Sequence, residues 1–105
     1  MLHELIENAK LKTSNIVYSN KSARDSFYQS QIWRNKRTEI LKRDNHECQV
    51  AKSMGQVVTY KLIIHYIKPL DYFPELAMGD SNLITVSHQV HDIINELNET
   101  KFDDE

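Results

Sequence analysis

Apolar residues recur along this chain in two rhythms. Towards the C-terminus Val90, Ile93, Ile94 and Leu97 fall at steps of 3, 4 and 7, the spacing of one helical face, and Ser87 is placed to cap that helix. Ser30 is a second N-cap, for a predicted helix running to residue 44 with Ile32, Trp33, Ile40 and Leu41 on its buried side. Glu39 and Arg43 are spaced on it for an i,i+4 ion pair. Leu2, Leu5, Ile6 and Ala9 predict a short N-terminal helix, and the polar, irregular residues 12–26 read as a loop or arm. Between the helices the pattern changes. Residues 56–60 and 62–67 are rich in β-branched and aromatic side chains and read as a pair of strands, the second closed by Pro69. Turn-type residues fill 45–55. Residues 70–81 form a loop with Pro74 and Gly79, in which 75–78 can make one helical turn, and 83–86 read as a short strand. The resulting class is α+β, with a β-β-α core preceded by a basic helix and an N-terminal helical arm. The divisions are 1–26 for the helix and arm, 27–98 for the domain and 99–105 for an acidic tail.

Composition narrows the picture. At 105 residues, 40% hydrophobic and 27% charged, the chain reads as one soluble globular domain. Its longest apolar run, 62–67, is interrupted by His65 and falls far short of the ~20 residues a membrane span needs. No basic leader with an apolar core is present, so the expected compartment is the cytosol. Cys48 is the single cysteine, which excludes an internal disulfide and a four-cysteine zinc site.

Charge adds a strong asymmetry. The net charge is −2, yet residues 1–70 carry a balance of +6 and residues 71–105 a balance of −8. Within 31–45, Arg34, Lys36, Arg37, Lys42 and Arg43 offer a phosphate-contacting surface, since each neutralised phosphate releases a counterion. The same run also reads as a solvated helix face.

Three polar residues fall where this architecture can gather them: His65 on a strand, Asn82 at the end of the long loop and His91 in the first turns of the final helix. Two imidazoles can hold a divalent metal, and an amide can orient a ring or complete a ligand set. Spacing alone equally suits a hydrogen-bonded core histidine and a turn asparagine.

The run from residue 27 to about residue 96 resembles the HNH endonucleases of bacteriophages and prophages. The matching pieces are Phe27-Tyr28-x-Ser30-x-x-Trp33-Arg34 and Ile40-Leu41-x-Arg43-Asp44-Asn45-x-x-Cys48-Gln49. They continue as Ile64-His65-Tyr66-Ile67-Lys68-Pro69-Leu70, Phe73-Pro74-Glu75-Leu76-Ala77 and Asn82-Leu83-Ile84-Thr85-Val86-x-x-x-x-His91. The resemblance implies a ββα-metal fold in which His65 and His91 bind one divalent metal (magnesium, manganese, nickel or zinc). The metal stabilises charge developing on a scissile phosphate, and Asn82 supports the site.

Two departures from the family pattern bear on activity. The residue after the strand ligand is normally a histidine acting as general base, and here it is Tyr66. A phenol of pKa ~10 is only ~0.1% ionised at pH 7, and losing a base typically costs ~10²–10⁴ in rate. Many members also pin the site with two Cys-x-x-Cys knuckles. Here those positions read Cys48, Ala51, Ser87 and Val90, so no structural zinc is expected, and packing and capping are expected in its place. Cys48 is then a small buried hydrophobe, and Trp33, beside Ile32, is core.

Two functions follow from the resemblance. The favoured one is a catalytically impaired nuclease fold acting in the bacterial host cell as a nucleic-acid-binding or protein-binding module, regulatory or counter-defence, its partner DNA or a host or phage protein. The alternative is an active metal-dependent DNA endonuclease.

Overall fold

A computed structural model describes residues 1, 2, 5, 21–70 and 72–98. At its centre two strands, β1 (Leu62–Tyr66) and β2 (Leu83–Ser87), pair antiparallel, with Ile63 opposite Val86, Ile64 opposite Thr85 and His65 opposite Ile84. Helices α1 (Lys21–Gln29), α2 (Gln31–Arg43) and α3 (Gln49–Ser53) precede the pair, and α4 (His88–Asn98) follows it directly. The 3₁₀ turns Pro74–Leu76 and Asp80–Asn82 punctuate the connection between the strands. The class is α+β, with the β-β-α core in the expected order. No helix among the described residues is long and apolar enough to cross a membrane.

Successive strand residues point to opposite faces, and here both faces are covered. Ile63, Ile84 and Val86 pack with Cys48, Val50, Ala51, Val90 and Ile94, while Ile64, Tyr66 and Leu83 pack with Tyr28, Trp33, Ile40, Leu70 and Ala77. Helix α4 therefore closes one face and α2 the other. A strand buried on both sides reads as a continuous apolar run, which is how 62–67 looks in the sequence.

The two serine caps form as expected. Ser30 Oγ accepts the Trp33 N–H at 3.2 Å and donates to the Phe27 carbonyl at 2.6 Å, so one hydroxyl joins α1 to α2. Ser87 Oγ accepts the Val90 N–H at 3.2 Å and starts α4.

Several local expectations are corrected. Residues 21–26 belong to α1, whose Phe27 and Tyr28 rings lie 5.5 and 5.6 Å from Trp33; this aromatic cluster makes the helix worth forming despite its polar sequence. Ile32 is 66% exposed, because the cap at Ser30 turns Trp33 and Ile40, seven residues apart, inward and leaves Ile32 outside. Glu39 pairs with Lys36 at 3.1 Å, and Arg43 turns instead to Asp44 at 2.9 Å.

The partner of β1 is 83–87 and not 56–60. Lys61 adopts a left-handed φ of 50° that breaks the extended path ahead of β1, and its carbonyl accepts the His88 N–H at 2.9 Å. Residues 56–58 instead brace α3, through Gln56 N–H to the Ala51 carbonyl and Cys48 N–H to the Val58 carbonyl. Helix α3 itself lies within the segment read as turns, and Cys48 caps it: Sγ accepts the Ala51 N–H at 3.5 Å. Leu97 is exposed, so the buried stripe of α4 ends at Ile94 and Asn95. The expected helix of 2–9 and the acidic tail of 99–105 fall largely or wholly outside the described residues.

The four knuckle positions converge. Cys48, Ala51 and Val90 are buried in one cluster, and Ser87 caps the helix that carries Val90. Replacing Val90 by Asp places an uncompensated charge there, and the Val90→Asp chain is expected to lose cooperative thermal unfolding at room temperature and above; circular dichroism melting checks it.

Asp44 carries a second staple between elements. Its carboxylate accepts from Arg43 Nε and from a terminal Arg43 nitrogen at 2.9 and 3.0 Å, and from the Thr85 N–H of β2 at 2.9 Å. Burial pushes this carboxyl up, but the Arg43 and Thr85 hydrogen bonds outweigh burial and hold it below the usual carboxylate range. A carboxyl depressed in the folded state adds stability that is complete above its unfolded pKa of ~3.9 and is lost as pH falls through the lower folded value. Urea midpoints measured from pH 7 to pH 2 are expected to show this acid-side loss in the native chain. In Asp44→Asn, which is less stable at pH 7, that contribution is absent and the acid limb is shallower.

Candidate metal centre

His65, fourth residue of β1, projects to the α4 side with Ile63, as strand alternation requires. The cap at Ser87 fixes where α4 begins and so places His91 one turn in, on the face turned to the sheet. The two rings meet edge to face, with centroids 5.8 Å apart and planes at 65°. His65 is 0% and His91 6% exposed. Among the described residues no third His, Cys, Asp or Glu joins them.

One turn beyond His91 on the same helix stands Asn95, a residue the sequence reading did not single out. Its Nδ2 lies 3.5 Å from His91 Nε2, and it is 9% exposed. The signal available in the sequence was its i+4 spacing from His91.

Asn82 acts through the backbone. Its Oδ1 accepts the Lys68 N–H at 2.8 Å and its Nδ2 donates to the Lys68 carbonyl at 3.1 Å, while its own carbonyl accepts the Ile67 N–H at 2.9 Å. A side-chain amide thus extends the ladder two residues past β1 and clamps the long connection to the strand end. Asn82 is a positioning residue in this geometry, shaping the strand that carries His65.

Tyr66 lies on the other face of the sheet from His65. It is buried, stacks on Trp33 with centroids 5.6 Å apart and planes at 23°, and its hydroxyl donates to the Ala77 carbonyl at 3.2 Å. The fold therefore gathers His65 and His91 and leaves Tyr66 behind the strand.

The five basic residues of α2 do not share one surface role. Lys36 Nζ donates to Asp80 at 2.6 Å and to Glu39 at 3.1 Å, which raises its pKa, and Lys36 in turn holds the Asp80 carboxyl below the usual range. Arg43 donates to the Asp80 and Leu83 carbonyls at 2.8 and 2.6 Å besides its pair with Asp44. These two cations tie α2 to the segment entering β2. Arg34 and Lys42 are exposed, and Arg37 is half-buried. Asp80, in the 3₁₀ turn ahead of β2, is part of this tie.

Replacing Asn82 by Ala removes both side-chain hydrogen bonds to Lys68 and leaves that peptide short of partners. Asn82→Ala is expected to cost about 1–3 kcal/mol of unfolding free energy, read from chemical denaturation.

No protein-family model matches the chain, and no curated protein does. Among solved structures, the crystal structure of the HNH endonuclease of the deep-sea thermophilic bacteriophage GVE2 with manganese ion is similar to it. The TM-score is 0.69 and the identity 22%, over 74% of this chain and 84% of that one. The chain has the fold of an HNH endonuclease.

Proposed function

We propose that this protein is a nucleic-acid-binding HNH-fold module that keeps a divalent cation site at His65 and His91 and has lost efficient phosphodiester hydrolysis. The observation that carries the reading is the placement of Tyr66. Where the resemblance calls for a base beside the metal, this chain has a phenol packed on Trp33 behind the strand, donating to the Ala77 carbonyl.

The residues present fit a metal. Two buried imidazoles on separate elements meet without a carboxylate between them, and neutral imidazole is a common ligand of zinc, nickel and related ions. The similar GVE2 endonuclease, solved with manganese ion, supports a single divalent cation here. A cation held at this pair supplies charge stabilisation to a phosphate oxygen. The protein's own part is to hold the two rings at fixed positions, through the Asn82 clamp on one strand end and the Ser87 cap on the helix. No side chain of the described site stands ready to take a proton from water. Such a deficit corresponds to ~10²–10⁴ in rate.

Arg34 and Lys42 are exposed cations of α2 available to phosphates, whereas Lys36 and the exposed Arg43 are engaged in hydrogen bonds within the domain. Binding through so few phosphates is expected to be weak, and to fall with salt in proportion to their number.

An active endonuclease is the second reading, favoured by the likeness to the manganese-containing enzyme. Plasmid nicking with magnesium, manganese, nickel or zinc, beside a His91→Ala control, separates the two. Little or no metal-dependent nicking, with salt-dependent DNA retention on a gel, is the expected result. Robust nicking abolished in His91→Ala would establish the endonuclease. DNA binding absent at low salt would move the partner to protein. In either case Tyr66→Phe is expected to leave cleavage at the wild-type level and to cost about 1 kcal/mol of stability, the worth of one buried hydrogen bond.

A further inference from the structure

The run 56–60 has the composition of a strand, yet it stays out of the sheet and turns Tyr60 outward, 69% exposed. Lys61 follows it, and the Lys61 carbonyl accepts the His88 N–H at 2.9 Å, which fixes the run against the start of α4. Between the two lies a cavity of about 380 Å³, whose walls include Val58, Tyr60, Lys61, His88, Gln89 and Asp92. That volume falls within the ~300–1,000 Å³ of small-ligand sites.

We propose that this cleft binds one unpaired nucleotide of a DNA strand, with its base stacked on Tyr60 and its amino edge held by Asp92. This rests on the nucleic-acid-binding reading, and names a contact surface apart from α2.

The walls ask for a ligand that combines three chemistries. Tyr60 presents an exposed ring, on which any base can stack. Asp92 is ionised at neutral pH and only accepts, so it takes a donor such as an exocyclic amine and repels a bare phosphate. Gln89 both donates and accepts, which suits the mixed edge of a base. Lys61, with the His88 imidazole, supplies the positive side for a phosphate next to the base. Lys61, His88, Gln89 and Asp92 are exposed, and among the described residues their side chains make no hydrogen bond or ion pair. They contrast in this with Lys36 and Arg43 of α2.

A flat ring with an amino edge and an attached phosphate is a nucleotide. In a duplex the base faces are stacked and the pairing edges used, so the unpaired nucleotide is the one that fits. A second recess of about 160 Å³ shares Val58 and Gln89 with the first and runs on between Met54 and Ile93, which favours a continuing strand over a free nucleotide.

The test is fluorescence anisotropy of the whole chain at low salt, with labelled oligodeoxycytidine, oligothymidine and a duplex of equal length. Wild type is expected to bind oligodeoxycytidine most tightly, because thymine turns its O4 acceptor to the place where cytosine offers an amine. Tyr60→Ala is expected to lower that affinity about tenfold and to remove the advantage over duplex, while Tyr60→Phe stays at the wild-type level. Asp92→Ala is expected to bring the two single strands to equal affinity. Lys61→Ala is expected to flatten the salt dependence by one phosphate, a slope change of ~0.7. Competition by deoxycytidine monophosphate at the affinity of the oligonucleotide would uphold the pocket and make a free nucleotide its occupant. DNA binding that is equal for the three probes and unchanged in Tyr60→Ala and Asp92→Ala overturns this site alone. No binding of any probe overturns the nucleic-acid-binding reading and this proposal with it.

Discussion

The antiparallel pairing of β1 with β2 is the constraint on which the rest of the molecule depends. Its register sets His65 opposite Ile84, turns Ile63 and His65 towards α4, and turns Ile64 and Tyr66 towards α2. A shift of one residue would exchange those faces, sending His65 into the aromatic cluster and Tyr66 towards His91. Two strands of five residues hold such a register poorly by themselves. The Asn82 clamp on Lys68 and the Thr85 N–H bond to Asp44 hold it from the two sides of the sheet's backbone. The placement of the histidine pair is thus a consequence of hydrogen bonds made several residues away.

The same dependence explains how the domain does without a four-thiolate staple. A metal cross-link would tie the turn before β1 to the start of α4. Here Cys48, Ala51 and Val90 meet in an apolar cluster, and Cys48 and Ser87 each cap the helix that follows them. Apolar burial at roughly 25 cal/mol per Å² and a cap of about 1 kcal/mol are individually modest, but they act at the same junction. The ties from Lys36 to Asp80 and from Arg43 to the Asp80 and Leu83 carbonyls do a similar job on the other side of β2. Cations that look available to a phosphate backbone are spent on holding the fold. The contrast between a basic first part and an acidic last part is in this respect partly an internal complementarity.

What was legible in the sequence was local. The serine caps, the stripe of Val90 and Ile94, the buried places of Trp33 and Cys48, and the meeting of His65 with His91 all follow from periodicity, capping chemistry and a matching pattern of motifs. What was not legible turned on distant partners. Helix α1 forms because Phe27 and Tyr28 meet Trp33, and α3 forms where turn residues had suggested only a loop. Asn95 gave no sign beyond its i+4 distance from His91, because an asparagine on a helix is ordinary until it and His91 are known to be buried.

The sequence by itself therefore determined the fold class, the order of the core elements and the two histidines of the candidate site, since caps, helical spacing and apolar runs are set by residues a few positions apart. Only the tertiary structure decided which segment pairs with β1, which face Tyr66 takes, which cations are already engaged and which amide stands beside His91. Each of those depends on contacts between residues far apart in the chain, where the free energy comes from packing and backbone pairing that no local pattern encodes.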